Sequence, residues 1–274
     1  MLKTRLAPTP SGFLHLGNLL VFVCSWRLAR ANQGSLLLRI DDLDVARKRA
    51  AYVEDIFESL HWLDIDWDVG PRSLTDFEQN WSQFHRLELA NSMLETLRQK
   101  NLLYSCSCSR AQLDWLTKTN HPHLCRNQNS FHTAAGHAWR IRLPENCCIL
   151  FNDQQQGSCY VDLNKEMSDF VVRRKDGLPA YQIASLADDL QFGINAIVRG
   201  SDLLPSTAAQ LFLAEQLGIG SFTATQWWHL PLVTDAFGNK LSKSNHARPV
   251  AELRQAGHRP AVLWAKIDAL LAGA

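Results

Sequence analysis

Two short motifs, one near each end of the chain, carry the residue types that bind a nucleoside triphosphate. His15-Leu16-Gly17-Asn18 follows the first predicted strand, and Lys240-Leu241-Ser242-Lys243-Ser244 lies about two hundred residues further on. Free backbone N–H groups and the positive end of a helix dipole favour phosphate binding at the first motif. The two lysines of the second motif can neutralise the charge that builds at the α-phosphate as pyrophosphate leaves. In this order the motifs predict an enzyme that makes an adenylate from ATP.

Both motifs also have ordinary structural interpretations. His15 and Gly17 could be capping and packing residues, and Lys240 with Lys243 could form a solvated basic turn. The presence of both motifs in one chain favours the catalytic interpretation, in which His15 and Lys243 stabilise phosphate charge and Gly17 leaves room for a flat base. The predicted ATP-binding residues are His15, Gly17, Asn18, Lys240, Ser242 and Lys243, and Mg²⁺ accompanies the nucleotide.

Alternating strand and helix patterns surround these motifs. Residues 2–7 form a predicted strand, a loop rich in Pro, Thr, Ser and Gly follows, and apolar spacing predicts a helix from Leu16 that ends at Asn32-Gln33-Gly34. Further strands are predicted at 35–40, 169–174 and 195–200, and further helices at 49–63, 76–99 and 206–217. This alternation predicts an α/β fold with a parallel sheet and helices on both faces.

The pattern becomes irregular between Tyr104 and Asn164, and we place an inserted connective region there. The predicted units are residues 1–103 and 165–274, which form the two halves of one catalytic domain, and residues 104–164, which are inserted between them. The second half contains the lysine motif and a short helical tail.

Three cysteines of this insert have the spacing of a metal site. Cys106 and Cys108 are alternate residues, and sixteen residues separate Cys108 from Cys125. His121 and His123 lie just before Cys125, and three thiolates with one imidazole make a closed tetrahedral zinc site that staples a loop-rich segment. We therefore expect one structural Zn²⁺, with unliganded thiols as the alternative. The other cysteines are typical of buried small residues: Cys24, Cys147, Cys148 and Cys159.

Composition argues against several classes of protein. The chain has 274 residues, 46% of them hydrophobic, and a formal net charge of +1. No apolar run approaches the roughly 20 residues of a membrane span, and Met1-Leu2-Lys3-Thr4-Arg5 has no following signal-peptide core. The near-neutral charge speaks against indiscriminate nucleic-acid binding, although a local patch could hold a tRNA loop. We therefore expect a cytoplasmic globular enzyme.

Taken together, the motifs resemble those of class I aminoacyl-tRNA synthetases of the glutamyl type. The segment His15–Asn18 looks like the HIGH motif of that family, and Lys240–Ser244 looks like its KMSKS motif. Four more segments fall in the order that the family has: Arg5–Gly12, Leu38–Asp44, Leu178–Gln182 and Ile197–Leu203. The resemblance covers nearly the whole chain and implies a Rossmann-like catalytic domain.

The resemblance also implies a binding site for glutamate. The two carboxylates of this amino acid call for arginines, whose planar guanidinium groups bind a carboxylate through two hydrogen bonds. The implied glutamate-binding residues are Arg5, Leu6, Ala7, Pro8, Thr9, Asp41, Tyr181 and Arg199. Asp41 departs from the family, which normally has glutamate there to receive the substrate ammonium group. A backbone shift, a bridging water or a contribution from Asp42 would have to make up for the shorter side chain.

The length of the chain indicates a subgroup of that family. Only thirty residues follow Ser244, so we expect no separate anticodon-binding domain. The whole chain resembles the short glutamyl-Q subgroup, which activates glutamate without tRNA and transfers it to queuosine at the wobble position of tRNA(Asp). The implied partners are L-glutamate, ATP and the anticodon arm of tRNA(Asp), and we expect a monomer. Zinc-bearing members have a tyrosine at the position of His121, which favours His121 as the fourth ligand, with His123 as the alternative.

Three other functions are compatible with the same residues. The chain could charge the 3′ end of a tRNA as a truncated glutamyl-tRNA synthetase does. It could be a nucleotidylyltransferase of the HIGH fold with another carboxylic substrate, although Arg5, Tyr181 and Arg199 together favour an amino acid. It could also be a non-enzymatic RNA-binding module in which the ATP motifs are relics.

Overall fold

A computed structural model describes residues 1–109, 111–112, 124–127, 131–133, 135–232 and 249–272. The α-helices are α1 (Leu16–Ala31), α2 (Ala50–Trp62), α3 (Leu74–Asp76), α4 (Glu88–Gln99), α5 (Leu163–Glu166), α6 (Tyr181–Gln191), α7 (Leu204–Leu217), α8 (Gly220–Thr223), α9 (Val250–Gln255) and α10 (Pro260–Ala272). The strands are β1 (Lys3–Leu6), β2 (Ser35–Leu38), β3 (Leu103–Cys106), β4 (Ala138–Ile141), β5 (Cys148–Asp153), β6 (Gly157–Asp162), β7 (Val171–Arg173), β8 (Ala196–Gly200) and β9 (Gln226–Leu230). No helix in this part of the chain combines the length and apolar character that a membrane crossing requires.

Parallel strands form the centre of the fold. β1 pairs in parallel with β2, β8 with β9, and β9 with β5, while β6 adds to β5 in antiparallel orientation. The backbone N–H of Asn195, just before β8, donates to the carbonyl oxygen of Lys3 at 3.0 Å, which sets β8 beside β1. Helix α1 connects β1 to β2, as a parallel pair requires. The predicted α/β fold with parallel strands is confirmed.

Apolar clusters cover both faces of the central strand β8. One cluster joins α1 and α2 to β1 and β2 and includes Leu60 and Val198. The other joins α4, α6 and α7 to the remaining strands and includes Ile183 and Ile197. Ile197 and Val198 are neighbours in β8 and point to opposite faces, as successive strand residues do. Strand β8, which carries the predicted glutamate-binding residue Arg199, is therefore held between two packed layers.

A second sheet, with the order β3-β4-β7, is antiparallel. β7 lies within the strand predicted at 169–174, but it pairs with β4 and not with the parallel strands. β9 has no counterpart among the predicted strands. The proposed boundaries of the insert, 104 and 164, stay a prediction, because the antiparallel pairing starts with β3 and also takes in β7.

Residues 76–99 do not form the single helix that their apolar spacing predicts. A π-helical turn and a 3-10 turn precede α4, and Ser82 between them is extended, with φ of −58° and ψ of 141°. The carboxylate of Asp42 accounts for the break, because it accepts hydrogen bonds from the Ser82 hydroxyl at 2.7 Å and from the Gln83 backbone N–H at 2.9 Å. A contact between distant parts of the chain thus overrides the local helical pattern.

A substitution at Gly70 tests how closely the chain packs against the end of β2. Its φ is +116°, and a Cβ atom there would lie 2.3 Å from the carbonyl oxygen of Leu38. We expect Gly70→Ala to lower the free energy of unfolding, measured in urea, by roughly 2 to 4 kcal/mol, since it adds a clash to backbone strain.

The matched control is Gly218→Ala. Gly218 also has a positive φ, +73°, but no atom lies within 4 Å of the added Cβ. The free energy of unfolding should fall by about 1 kcal/mol in this variant, the cost of the left-handed conformation alone. Equal losses for the two variants would contradict the close approach at Gly70.

Candidate active site

A cleft of about 730 Å³ opens where the carboxyl ends of β1 and β8 meet the N-terminus of α1. Ligands of parallel α/β sheets bind at this edge, because the loops that follow the strands converge there. Six residues of the predicted glutamate set line the cleft: Arg5, Ala7, Pro8, Thr9, Tyr181 and Arg199. Three residues of the ATP set line it as well: His15, Gly17 and Asn18. The structure therefore brings these nine residues of the two predicted sets together in one cleft.

Arg199 places a buried guanidinium in the wall of the cleft. The residue lies on β8 and is 3% exposed. Its Nη1 donates to Oε1 of Gln210 at 2.9 Å and to Oγ1 of Thr207 at 3.2 Å. Within the described part of the chain, Nε and Nη2 have no hydrogen-bond partner. Since a buried donor without an acceptor costs free energy, these two nitrogens are suited to receive an anion.

The charge of Arg199 also lacks a direct counter-ion in the described part of the chain. None of the ion pairs among the described residues includes it. Burial lowers the pKa of Arg199 to about 10; Tyr181 opposes this effect, and the like charge of Arg5 adds to it. The guanidinium is therefore still charged at neutral pH, and a bound carboxylate would offset the cost of its burial.

Arg5, in contrast, has a buried counter-ion. Its Nε donates to Oδ1 of Asp189 at 3.2 Å, and its Nη1 donates to the carbonyl oxygen of Val198 at 3.2 Å. The same Oδ1 of Asp189 accepts a hydrogen bond from Nη1 of Arg39 at 2.7 Å. One buried carboxylate on α6 thus orients two guanidinium groups, of which one lines the cleft.

Two residues of the predicted glutamate set are not part of the cleft wall. Leu6 is 1% exposed and belongs to the apolar core. Asp41 is 8% exposed, and its two oxygens accept hydrogen bonds from Nε and Nη2 of Arg39 at 2.7 and 3.0 Å. Burial raises the pKa of Asp41, although Arg39 opposes the rise. The role of Asp41 in binding an ammonium group stays a prediction.

The N-terminus of α1 forms the side of the cleft predicted to bind phosphate. His15 directly precedes the helix, and its backbone N–H donates to Oδ1 of Asn18 at 3.1 Å. A Cβ on Gly17 would lie 3.2 Å from two atoms of the His15 ring, so glycine lets the ring lie against the helix backbone. The first turn of any α-helix has N–H groups without intrahelical acceptors, which is the property a phosphate uses.

The lysine motif lies outside the described residues. This applies to Lys240, Ser242 and Lys243. The described residues on either side of the motif lie at the cleft, because Leu232 lines it and Pro249 forms a β-bridge with the residue that precedes α1. The proposed contact of the two lysines with ATP stays a prediction.

Sequence reasoning missed two charged residues of the cleft wall. Arg47 lies in the loop after β2 and pairs with Asp44, and Asp202 lies in the 3-10 turn between β8 and α7. Asp202 falls within the segment 197–203 that carries the family resemblance, which is the one signal that pointed to it. Arg47 has no such signal, because only the path of its loop brings it to the cleft.

Three predicted metal ligands lie together away from the cleft. The thiols of Cys106, Cys108 and Cys125 are all within 4.8 Å of one another, and the Sγ atoms of Cys108 and Cys125 are 3.5 Å apart. Tetrahedral Zn²⁺ with bonds of about 2.3 Å places its sulfur ligands about 3.8 Å apart, so this donor set suits the metal. The two candidates for the fourth ligand, His121 and His123, lie outside the described residues.

The chain matches a known family over nearly its whole length. Residues 1–270 match the family described as tRNA synthetases class I (E and Q), catalytic domain. The chain is 39% identical over 246 residues to the glutamyl-Q tRNA(Asp) synthetase of Pseudomonas entomophila, a match that covers 90% of this chain and 78% of that protein. It is 38% identical over 266 residues to a protein of the same name from Pseudomonas putida, covering 97% of this chain and 82% of that protein.

The fold is similar to that of a solved glutamate tRNA ligase. The crystal structure of the enzyme from Elizabethkingia meningosepticum, in complex with its amino acid, superposes with a TM-score of 0.72 at 24% sequence identity. The match covers 89% of this chain and 52% of that one, so the chain spans about half the length of the ligase. The similarity establishes the catalytic-domain fold of a class I synthetase.

Arg39 is the centre of the ion pairs next to the cleft, since it holds both Asp41 and Asp189. Arg39→Gln leaves buried Asp41 without its counter-ion and leaves Asp189 with Arg5 alone, so we expect a loss of roughly 3 to 5 kcal/mol of unfolding free energy at pH 7. The loss should shrink as the pH falls: burial raises the pKa of Asp41, and without the opposing charge of Arg39 the folded variant takes up a proton there before the unfolded chain does. Urea denaturation at pH 7 and at pH 5 measures both effects.

Arg30→Gln is the matched control for this prediction. Arg30 pairs with two aspartates whose side chains are 69% and 43% exposed. Removing an exposed pair of this kind costs less than about 1 kcal/mol. A loss at Arg39 no larger than that at Arg30, or one that grows toward acid pH, would contradict the buried ion pairs.

Proposed function

The chain belongs to the family of catalytic domains of class I tRNA synthetases for glutamate and glutamine, and on this basis we propose that it activates L-glutamate with ATP and transfers the glutamyl group to a tRNA. The observation that carries the proposal is the buried guanidinium of Arg199, whose Nε and Nη2 have no partner among the described residues. It lines the same cleft as His15 and the start of α1. A carboxylate and a nucleotide can therefore meet in one place.

Arg5 and Arg199 differ in whether a carboxylate of the protein already neutralises them, and this difference suits an amino acid with two carboxylates. Arg199 has no counter-ion among the described residues and can bind one carboxylate through two N–H donors. Arg5 is partly neutralised by Asp189 and faces the same cleft, where the second carboxylate would lie. Tyr181 is 41% exposed at the start of α6 and can add a phenolic hydrogen bond.

The ammonium group of the substrate needs an acceptor of its own. Asp41 remains the candidate, because each of its oxygens accepts one hydrogen bond from Arg39 and retains a second lone pair that can accept directly or through a water. Asp42 is a poor substitute, since it is 1% exposed and already accepts three hydrogen bonds. The short side chain of Asp41 therefore makes the choice between glutamate and aspartate the point to test.

The first reaction joins glutamate to AMP. An oxygen of the α-carboxylate attacks the α-phosphorus of ATP, the bond between the α-phosphorus and the bridging oxygen breaks, and pyrophosphate leaves with the electron pair. We assign the stabilisation of phosphate charge to His15, to the N-terminus of α1 and to Lys243, with Mg²⁺ bound to the nucleotide. No side chain has to act as a nucleophile, so the protein contributes position and electrostatics.

The second reaction transfers the glutamyl group. A hydroxyl of the queuosine cyclopentene ring attacks the carbonyl carbon of the mixed anhydride, a proton leaves the hydroxyl, and AMP departs. The support for queuosine in tRNA(Asp) as the acceptor is the similarity to relatives named glutamyl-Q tRNA(Asp) synthetase, which reach 38% to 40% identity. These relatives are of comparable length, since the matches cover 78% to 82% of them.

We also propose a structural Zn²⁺ held by Cys106, Cys108 and Cys125, with His121 as the fourth ligand and His123 as the alternative. Cys106 is the last residue of β3, and Cys125 lies on a separate 3-10 turn. The metal would join these two segments, which also share a small apolar cluster with Tyr104 and Cys108. A closed site of this kind contributes to folding and not to chemistry.

Metal analysis tests the zinc proposal. The unsubstituted protein, dialysed against a weak chelator, should retain about one zinc per chain, and Cys108→Ser should retain much less, because one of four ligands is lost. The control is Cys148→Ser, which changes another half-buried thiol that lies outside the cluster. An unsubstituted protein without zinc, or equal zinc content in the two variants, would contradict the site.

Pyrophosphate exchange without tRNA tests the activation step. We expect exchange with L-glutamate and at least about tenfold lower kcat/KM with L-aspartate or L-glutamine. Arg199→Gln should raise the KM for glutamate at least about tenfold, because it removes the buried partner of a carboxylate. The control Arg98→Gln changes an arginine whose ion pair with Glu95 is exposed and should leave exchange unchanged. A preference for aspartate would overturn the substrate assignment.

Transfer to tRNA is measured with labelled glutamate and tRNA(Asp) that contains or lacks queuosine. Label should enter only the queuosine-containing tRNA, since that modification supplies the attacking hydroxyl. Equal labelling of both tRNAs would show that the chain charges the 3′ end instead. Tight tRNA binding without any exchange would favour an RNA-binding module.

A further inference from the structure

A chain of buried polar side chains extends from Arg199 into the fold, away from the cleft. Nη1 of Arg199 donates to Oγ1 of Thr207 at 3.2 Å, and that oxygen lies 2.8 Å from Nε2 of His229. Nδ1 of His229 lies 2.6 Å from Oδ2 of Asp153. Thr207 and His229 are fully buried and Asp153 is 4% exposed. The proposed activation chemistry uses neither His229 nor Asp153.

The carboxylate end sets the direction of the first hydrogen bond, since a carboxylate only accepts: Nδ1–H of His229 donates to Asp153. On a neutral ring, Nε2 then accepts from the Thr207 hydroxyl. That hydroxyl has a second acceptor, the carbonyl oxygen of Leu203, but at the longer distance of 3.2 Å. Burial lowers the pKa of His229, against the effect of Asp153 and with that of Arg199, which favours the neutral ring.

We propose that Thr207, His229 and Asp153 are positioning residues, which orient Arg199 so that its Nε and Nη2 face the substrate carboxylate. This inference rests on the proposed function of the cleft. A carboxylate in direct contact with Arg199 would bind the same two-donor edge that the substrate needs. The neutral hydroxyl of Thr207 takes one donor only, and the negative charge of Asp153 acts through His229 from behind it.

The far end of this chain is anchored by the β5–β6 hairpin. Oδ1 of Asp153 accepts hydrogen bonds from the backbone N–H groups of Gln155 and Gln156 at 2.9 Å each. The side chain of Gln156 donates to the carbonyl oxygen of His229 at 3.0 Å. Asp153 is also the β5 residue that pairs with β9, opposite Trp227. The hairpin therefore helps to set the orientation of an arginine in the cleft.

Substitution of Thr207 tests the positioning role by kinetics. Thr207→Val keeps the shape of the side chain and removes its hydroxyl. In pyrophosphate exchange the KM for glutamate should rise about tenfold, the loss expected for one hydrogen bond to a charged group. The KM for ATP should change less than about twofold, because the phosphate side of the cleft does not contact Thr207.

The matched control is Thr225→Val. Thr225 is 6% exposed, and its hydroxyl has no hydrogen-bond partner among the described residues. This variant removes the same buried group and should leave both KM values unchanged. An equal rise in the control, an equal rise in the KM for ATP, or no rise for Thr207→Val would each overturn the positioning role.

Nitrogen-15 NMR of the histidine rings tests the direction of the hydrogen bonds without any substrate. The His229 signals, identified by their loss in His229→Asn, should report a neutral ring protonated at Nδ1. Asp153→Asn should move the proton to Nε2, because the amide oxygen is kept by the hairpin N–H groups and the NH₂ group then faces Nδ1. A ring protonated at Nε2 in the unsubstituted protein would overturn the proposal, even if a substituted protein failed to fold. Absence of glutamate exchange in the unsubstituted protein would reject the proposed function, and the spectrum would still decide the hydrogen-bond chain.

Discussion

The buried positive charge of Arg199, which pairs with no carboxylate among the residues that the structure describes, is the constraint around which the cleft is built. An unpaired guanidinium in a protein interior is costly, and here two of its donors lack a partner within the described residues. The neighbouring arginines differ, because Arg5 and Arg39 share Asp189, and Arg39 also binds Asp41. The acidic residues thus neutralise Arg5 and Arg39, and Arg199 is the arginine that we propose binds a ligand carboxylate.

This arrangement depends on the order of the parallel strands. β1 and β8 lie side by side, so Arg5 and Arg199 reach the same edge of the sheet although they are far apart in the chain. Helix α6 brings Tyr181 to the cleft and, two turns later, places Asp189 against Arg5. The same parallel geometry puts the N-terminus of α1 at this edge. The parallel strand order therefore assembles both the proposed carboxylate site and the proposed phosphate site.

Long-range contacts from other segments also shape the surroundings of β1, β2 and β8. Asp42 follows β2 and breaks the helix predicted at 76–99 by binding Ser82 and the next backbone N–H. The carboxylate of Asp153 reaches Arg199 from the β5–β6 hairpin through His229 and Thr207. The segment that the sequence indicates as an insert is therefore continuous with the catalytic sheet, because β5 pairs with β9.

The sequence by itself determined what local patterns encode: the bounds of α1, the alternation of strands and helices, the arginines of β1 and β8, and the spacing of the three cysteines. These features depend on residues that are close in the chain, or on short motifs such as 15–18. Only the tertiary structure decided that Asp41 is paired with Arg39, that the helix predicted at 76–99 is broken, that β7 joins the antiparallel sheet, and that a histidine on β9 stands behind Arg199. Each of these results arises because a buried polar group or strand edge needs a hydrogen-bond partner, and the fold supplies that partner from another part of the chain. The spacing of residues in the sequence does not identify that partner, because the partner lies far away in the chain.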